Sequence, residues 1–380
     1  MSPAYSVTRV VTARPWARIE RLTHAHEAFP TERARPNGRQ TDAGVVHAFG
    51  TATPMSRDVL LHFGPAWEEG AGPPVVLVHG ATADATYWID PYGRRGEGLV
   101  QALEAAGRRV FAVTFAHRHG DNLLWAESLS MAIARVREAT GAARVDVLSH
   151  SKGSVAARAL ASGLKADWMF GYQGDIRRLV IVGGPNMGID YSFRHPLVNY
   201  GLYAELPDSR FNAPLSWTRM LAYGRWVDTR DRTLLTTAGN YFPGQCQMLY
   251  RWDRRYELPL LEPDVRSTYY GGRGLVSESA GIAEAIAQGG HFIEQLREQP
   301  LDRAIELAVL AGSRANRLGM LNEQTGPSDG TLFVESALAT DDMTRHGAKI
   351  VAKDVLPLNH AELIYAQTAK RWALAALAGA

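Results

Sequence analysis

The feature that most constrains the fold is an apolar strand that runs into a serine-centred turn and then a helix. The strand is Val145–Leu148, the turn reads Ser-His-Ser-Lys-Gly, and small helix formers follow over residues 155–161. At such a junction the serine is raised out of the sheet, where its hydroxyl can attack an acyl carbon. Ser149 stands where glycine is usual, but it is also small. Ser151 is therefore the predicted nucleophile.

The composition is that of an ordinary globular protein, with 46% apolar and 21% charged residues in 380. A net charge of +2 favours neither nucleic acid nor an anionic membrane surface as a partner. Cys246 is the single cysteine and excludes an internal disulfide framework. Because no secretion signal or membrane-length apolar stretch is visible, we predict a cytoplasmic enzyme without stable membrane insertion. The alternative is a secreted protein in its mature form, with the signal already removed.

Short apolar runs alternate with helical patterns on both sides of the turn. This alternation predicts an α/β fold in which right-handed crossovers build a mostly parallel sheet. The predicted strands are Val75–Val78, Arg109–Phe115, Val145–Leu148, Leu179–Val182 and Ala304–Leu310, and the predicted helices are Leu99–Ala106 and Leu123–Thr140.

The same pattern divides the chain. Residues 1–50 are predicted to be an N-terminal arm, and an early edge strand is expected within residues 51–63. Residues 51–185 and 301–380 form the predicted core. The segment 186–300 lacks the strand–helix rhythm and is predicted to be a cap inserted over the site, with a separate binding domain as the alternative. About half of its aromatic residues are expected to build the cap's own core, and the rest an apolar pocket.

A serine nucleophile needs a histidine base and a carboxylate that orients it, in the chain order serine, acid, histidine. Asp329 lies in a Ser-Asp-Gly turn, and His360 precedes the C-terminal helix. Either could be structural, since Asp-Gly is common in turns and His360 or its neighbour Asn359 could cap the helix. The alternative acids are Glu323, Asp341 and Asp342, and the alternative base is His346.

The oxyanion hole is predicted from backbone N–H groups of Lys152, directly after the nucleophile, and of Ala81, after the first central strand. The Lys152 side chain is expected to extend towards solvent, with an anionic substrate group as its alternative partner. His79 is predicted to be mainly a hydrogen-bonded structural residue. The predicted substrate-contacting residues are His79, Thr82, His150, Met187 and Tyr191.

The sequence gives no basis for a metal or a cofactor. His117, His119 and Asp121 have a spacing that can ligate a divalent ion, but no supporting cluster follows. The glycines of residues 271–274 lack the preceding strand and the following Lys-Ser/Thr of a phosphate-binding loop. We therefore predict no metal and no cofactor.

The His-Gly loop, the serine turn with its helix, residues 184–188 and the segments around Asp329 and His360 together resemble bacterial lipases of the α/β-hydrolase fold. The resemblance implies a mostly parallel sheet with helices on both faces and a lid, with Ser151, Asp329 and His360 as the triad. It also implies Ala81 and Lys152 as oxyanion donors. Some such lipases carry a structural calcium near the histidine; Glu362 lies there without a complete ligand set.

We therefore expect a serine esterase or lipase-like hydrolase that acts on a small-molecule ester through an acyl-enzyme on Ser151. The alternative is a cytoplasmic natural-product tailoring enzyme of the same fold, which transfers an acyl group, closes a ring or eliminates a carboxylate in a dry pocket. A non-catalytic binding module is the third possibility. The sequence leaves the acyl chain length, the alcohol or amine partner and the oligomeric state open.

Overall fold

The fold is built around a central sheet of nine strands. The computed structural model of the chain describes residues 5–33, 38–189, 247–248, 272–273, 278–279, 292–315 and 326–378. The strands of the central sheet are β1 (Tyr5–Val11), β2 (Arg18–His24), β3 (Asp58–Phe63), β4 (Ala71–Val78), β5 (Arg108–Phe115), β6 (Val145–His150), β7 (Ile176–Val182), β10 (Glu306–Gly312) and β11 (Lys349–Leu356). A separate ribbon pairs β8 (Gly272–Arg273) with β9 (Glu278–Ser279).

The strand order in the sheet is β1-β2-β3-β5-β4-β6-β7-β10-β11. Strands β5, β4, β6, β7, β10 and β11 pair in parallel, whereas β1, β2 and β3 extend one side in antiparallel pairing. In a parallel sheet the loops that follow the strands meet at one edge. The predicted class, an α/β-hydrolase fold with a mostly parallel sheet, is confirmed. The cap stays a prediction, because most of residues 186–300, including Tyr191 and Cys246, lie outside the described residues.

Helices cover both faces of the sheet. Asp121 starts the longest described helix by accepting the N–H groups of Leu123 and Leu124, and Gly141 ends it in the left-handed conformation. In the described part of the chain, no helix is both long and apolar enough to cross a membrane. The helices are α1 (Ala43–Phe49), α2 (Leu99–Ala105), α3 (Asn122–Thr140), α4 (Lys152–Ala161), α5 (Phe292–Glu298), α6 (Val334–Leu338), α7 (Asp341–Thr344) and α8 (Gln367–Ala378).

The core consists of two apolar layers, one on each face. Successive side chains of β4 alternate between them: Val76 and Val78 belong to the layer under α3 and α4, and Val75 and Leu77 to the layer under α2 and α8. This alternation follows from the two-residue period of a strand. Because both faces are covered, the central strands read as continuous apolar runs.

Three segments differ from the sequence-based expectations. The predicted arm contains β1 and β2, whose pairing places β3 inside the sheet and not at its edge. Helix α5 lies within the predicted cap segment 186–300, but its Phe292, Ile293 and Leu296 are buried in the core. Strand β11 was not predicted, because at the edge of the sheet its lysines and aspartate interrupt the apolar pattern.

A buried ion cluster lies at the edge of the sheet opposite the carboxyl ends of the strands. Asp146, near the start of β6, is fully buried and accepts hydrogen bonds from Arg108 at 2.7 Å and from Arg177 at 2.6 Å. Both arginines also donate to the Leu377 carbonyl at the end of α8. The cluster therefore ties three parallel strands to the C-terminal helix.

Replacing Asp146 with Asn is expected to lower the free energy of unfolding by about 3–5 kcal/mol, because it leaves two arginines beside a neutral partner. Glu97→Gln is the matched control, since the exposed pair of Glu97 with Arg94 contributes at most about 1 kcal/mol. Urea unfolding of both variants measures the difference. Equal midpoints for the two variants would show that the cluster is not important for stability.

Candidate active site

The turn between β6 and α4 holds Ser151 in a strained conformation. Its φ and ψ angles are 54° and −130°, a region that L-residues rarely occupy. The Ser151 N–H donates to the Val182 carbonyl at 3.1 Å, which ties the turn to the end of β7. The predicted elbow is therefore present, and the Ser151 side chain lies at the carboxyl edge of the sheet, half-buried.

Close packing around the turn requires small residues. A Cβ on Gly80 would lie 2.9 Å from the Ser151 Cβ, and one on Gly153 would lie 2.3 Å from the His79 carbonyl oxygen. Either contact would push the loop after β4 away from the serine. Ser149 is accommodated because its buried hydroxyl donates to the Val180 carbonyl at 3.2 Å. The departure from glycine at this position thus leaves no unpaired polar group.

The structure joins Ser151, His360 and Asp329 in one chain of hydrogen bonds, which is called the relay below. The His360 Nε2 lies 2.9 Å from the Ser151 Oγ, and its Nδ1 lies 2.7 Å from the Asp329 Oδ2. The other oxygen of the buried carboxylate accepts the N–H groups of Thr331 and Leu332 at 2.9 and 2.8 Å. Because the carboxylate accepts, Nδ1 carries the proton and Nε2 is left to accept the serine proton.

Backbone and side-chain contacts fix the loop that carries His360. The His360 N–H donates to the Asp329 carbonyl at 2.9 Å. Asn359 and Glu362 form a reciprocal pair, in which each side chain accepts the other residue's N–H at 3.0 and 2.9 Å. The two bonds have the reciprocal pattern of a capping box, and they close the segment that leads into the short 3-10 turn Glu362–Ile364. Glu362 also pairs with Arg314, so its carboxylate is already engaged by protein groups.

The loop after β4 lies beside Ser151. His79 is buried; its Nδ1–H donates to the Gly80 carbonyl at 2.7 Å, and its Nε2 accepts the Phe115 N–H at 3.3 Å. Burial lowers the pKa of His79 to about 3, so the ring stays neutral. Both ring nitrogens are thus used by the backbone, as expected of a structural histidine. Lys152 is the first residue of α4, where backbone N–H groups have no acceptor within the helix.

The Lys152 side chain does not extend to solvent, so that prediction is wrong. The residue is fully buried, with its Nζ 3.1 Å from the centroid of the Trp125 ring. Among the described residues the Nζ has no hydrogen-bond partner. Burial lowers the pKa of Lys152 well below its ordinary value, and the nearby Asp121 opposes this only in part. The side chain turns inward because α3 packs against the first turn of α4.

The remaining candidates are placed apart from the relay. Asp341 and His346 are exposed, and Asp342 pairs with Arg297 at 2.6 Å; Glu323 lies outside the described residues. His117 and His119 are buried, and the N–H of His119 donates to the His117 Nδ1. Within the described ranges, no three His, Cys, Asp or Glu side chains form a group that could hold a metal ion.

The predicted substrate-contacting residues occupy different positions. Thr82 lies in the loop after β4 and has a φ of 64°. Its N–H donates to the Arg118 carbonyl. The Met187 N–H donates to the Ser336 Oγ at 3.1 Å, on the loop after β7. His150 is buried directly before Ser151. Tyr191 lies outside the described residues, and contact with substrate stays a prediction for all of them.

The sequence did not predict one contact at the carboxyl edge of the sheet, that of Gln247 with the start of α3. The buried Gln247 accepts the Asn122 N–H at 2.7 Å, and its amide donates to the Asp121 Oδ2 at 2.6 Å. The next residue, Met248, accepts the Ile189 N–H through its carbonyl. A residue from the segment between β7 and α5 therefore reaches the N-terminus of α3. No sequence signal marks Gln247, because a lone glutamine has no characteristic spacing.

Residues 72–195, which include the serine turn, match the family model of class 2 lipases. The match confirms the predicted resemblance to lipases and the predicted enzyme class, a carboxylic ester hydrolase. No curated protein matches the sequence significantly.

Similar solved structures include a Bacillus licheniformis lipase in its mature form, with 14% identity, a TM-score of 0.40, and coverage of 78% of this chain and 87% of that one. A Pyrococcus furiosus esterase has 13% identity, a TM-score of 0.43 and coverage of 84% and 86%. An esterase from Rhodococcus has 15% identity, a TM-score of 0.42 and coverage of 85% and 96%.

Replacing Asp329 with Asn is expected to lower kcat/KM for an ester substrate by about 10³–10⁴-fold, because an amide can stabilise the wrong tautomer of His360. Asp341→Asn is the control, since it removes an exposed carboxylate and should leave kcat/KM unchanged. Steady-state kinetics on nitrophenyl esters measures both. A loss confined to the Asp341 variant would transfer the acid role to that residue.

Replacing Lys152 with Met is expected to raise the free energy of unfolding by about 1–3 kcal/mol at neutral pH, because it removes a buried amine that has no hydrogen-bond partner in the described part of the chain. The folded wild type binds the lysine proton more weakly than the unfolded chain. Its stability should therefore rise with pH up to about pH 10, and the variant should lack this rise. Denaturant unfolding at pH 7 and pH 9 measures both effects, with the exposed Lys165→Met as control. A destabilised variant would mean that the amine is well paired.

Proposed function

We propose that the chain hydrolyses carboxylic esters of small molecules through an acyl-enzyme on Ser151. The observation that carries the proposal is the relay of Ser151, His360 and Asp329, with contacts of 2.9 and 2.7 Å. These distances lie within the hydrogen-bond reach that a nucleophile, its general base and an orienting carboxylate need. The match of residues 72–195 to class 2 lipases supports an ester as the substrate.

In the proposed mechanism, the His360 Nε2 takes the Ser151 proton while the Oγ attacks the ester carbonyl carbon. Asp329 stabilises the imidazolium that results, and its two backbone donors hold the carboxylate in place. The backbone N–H groups of Ala81 and Lys152 are proposed to receive the negative oxygen of the tetrahedral intermediate. His360 then gives its proton to the leaving alcohol, and a water molecule activated by His360 releases the acid.

A fluorophosphonate probe tests the nucleophile directly, since it reacts with an activated serine. Intact mass of the wild type is expected to show one adduct, and folded Ser151→Ala should show none. In parallel, kcat/KM for nitrophenyl esters should fall by at least about 10⁴-fold in Ser151→Ala. A series of acyl chain lengths then defines the substrate range. A folded wild type that is not labelled would overturn the proposal, and so would labelling without ester turnover at any chain length.

A further inference from the structure

His150 contacts the catalytic loop from the strand that carries the nucleophile. It is the last residue of β6, and only 2% of the residue is exposed. Its Nε2 lies 3.1 Å from the backbone carbonyl oxygen of His360. The two imidazole rings are 4.7 Å apart between centroids, with an angle of 39° between their planes. His150 therefore touches both the backbone and the ring of the predicted general base.

The contact fixes the state of the His150 ring. A carbonyl oxygen only accepts hydrogen bonds, so the Nε2 of His150 must carry the proton. The Nδ1 then bears a lone pair, and it has no hydrogen-bond partner among the described residues. Burial lowers the pKa of His150 well below its ordinary value, and the ring of His360 lowers it further, while the hydrogen bond to the His360 carbonyl opposes this shift. The ring thus stays a neutral donor when His360 becomes positively charged during a reaction.

His150 completes a backbone clamp on His360. The His360 N–H is held by the Asp329 carbonyl on one side, and its carbonyl is held by the His150 Nε2 on the other. The first bond connects the base to the loop of the acid, and the second connects it to the strand of the nucleophile. Because Ser151 directly follows His150, this clamp links the position of the His360 ring to the position of the Ser151 Oγ.

We propose that His150 is a positioning residue that holds His360 at bonding distance from Ser151 through a hydrogen bond to the His360 carbonyl. The proposal rests on the proposed function, because a position of His360 matters for rate only if His360 is the base. A misplacement of about 1 Å at a catalytic group costs up to about 10²-fold in rate. A purely structural role for the buried ring would instead affect stability and leave the chemical step unchanged.

Two variants of His150 separate its two ring nitrogens. The side-chain amide of glutamine reaches about as far as Nε2, whereas that of asparagine reaches only as far as Nδ1. His150→Asn is therefore expected to lower kcat for nitrophenyl esters by about 10–100-fold, with KM within about twofold. His150→Gln should recover most of the loss, and the rate of fluorophosphonate labelling should follow kcat. His346→Asn, at an exposed histidine, is the control and should behave as wild type.

The outcomes distinguish the proposals. Wild-type kcat in both folded His150 variants would overturn the positioning role while leaving the proposed function intact, and so would loss in His150→Gln with full activity in His150→Asn. Absence of labelling in the wild type would overturn the proposed function itself. A measurement on the wild type avoids any folding defect: nitrogen NMR of histidine-labelled protein, with His150 assigned by the glutamine variant, should show a neutral ring protonated at Nε2. Protonation at Nδ1 would contradict the proposal.

Discussion

The left-handed backbone of Ser151 is the constraint on which the rest of the site depends. Such a conformation costs of the order of 1–3 kcal/mol and persists only where the surrounding structure enforces it. Here the enforcing contacts are the bond from the Ser151 N–H to the Val182 carbonyl and the close approach of Gly80. Since both involve backbone, the two neighbouring strands β4 and β7 must be in place before the serine can take up its position. The proposed chemistry therefore requires the parallel sheet to be formed, because the sheet sets the conformation of Ser151.

The other two residues of the relay lie at the same carboxyl edge of the sheet, although they come from distant parts of the chain. Asp329 follows β10 and His360 follows β11, and neither would be aligned by its own turn alone. The alignment comes from backbone bonds that cross between loops, above all those on the N–H and the carbonyl of His360. The reciprocal bonds of Asn359 and Glu362 add two further contacts within the loop that carries His360. Side chains on loops need such supporting bonds, because loops on their own hold a site less precisely than strands or helices do.

Much of this could be predicted from the sequence, for identifiable reasons. Strands β4 to β7 are buried on both faces and read as unbroken apolar runs. The chain order of serine, acid and histidine, together with the Ser-Asp-Gly turn and the segment before the C-terminal helix, pointed to the three residues that the structure joins by hydrogen bonds. Strands β1, β2 and β11 carry charged residues because they lie at or near the sheet edges, so their patterns did not indicate strands. The burial of Lys152 and the contact of His150 with His360 depend on which surfaces meet in three dimensions. Neither has a local sequence signal.

The distribution of buried charge shows how the two edges of the sheet differ. At the amino-terminal edge, Asp146 is matched by two arginines, and the pairing joins three strands to α8. At the carboxyl edge, Lys152 is buried against Trp125, its Nζ has no hydrogen-bond partner among the described residues, and burial lowers its pKa. We assign the stabilisation proposed for the tetrahedral intermediate to backbone N–H groups at the N-terminus of α4 and in the loop after β4, which border the Ser151 turn.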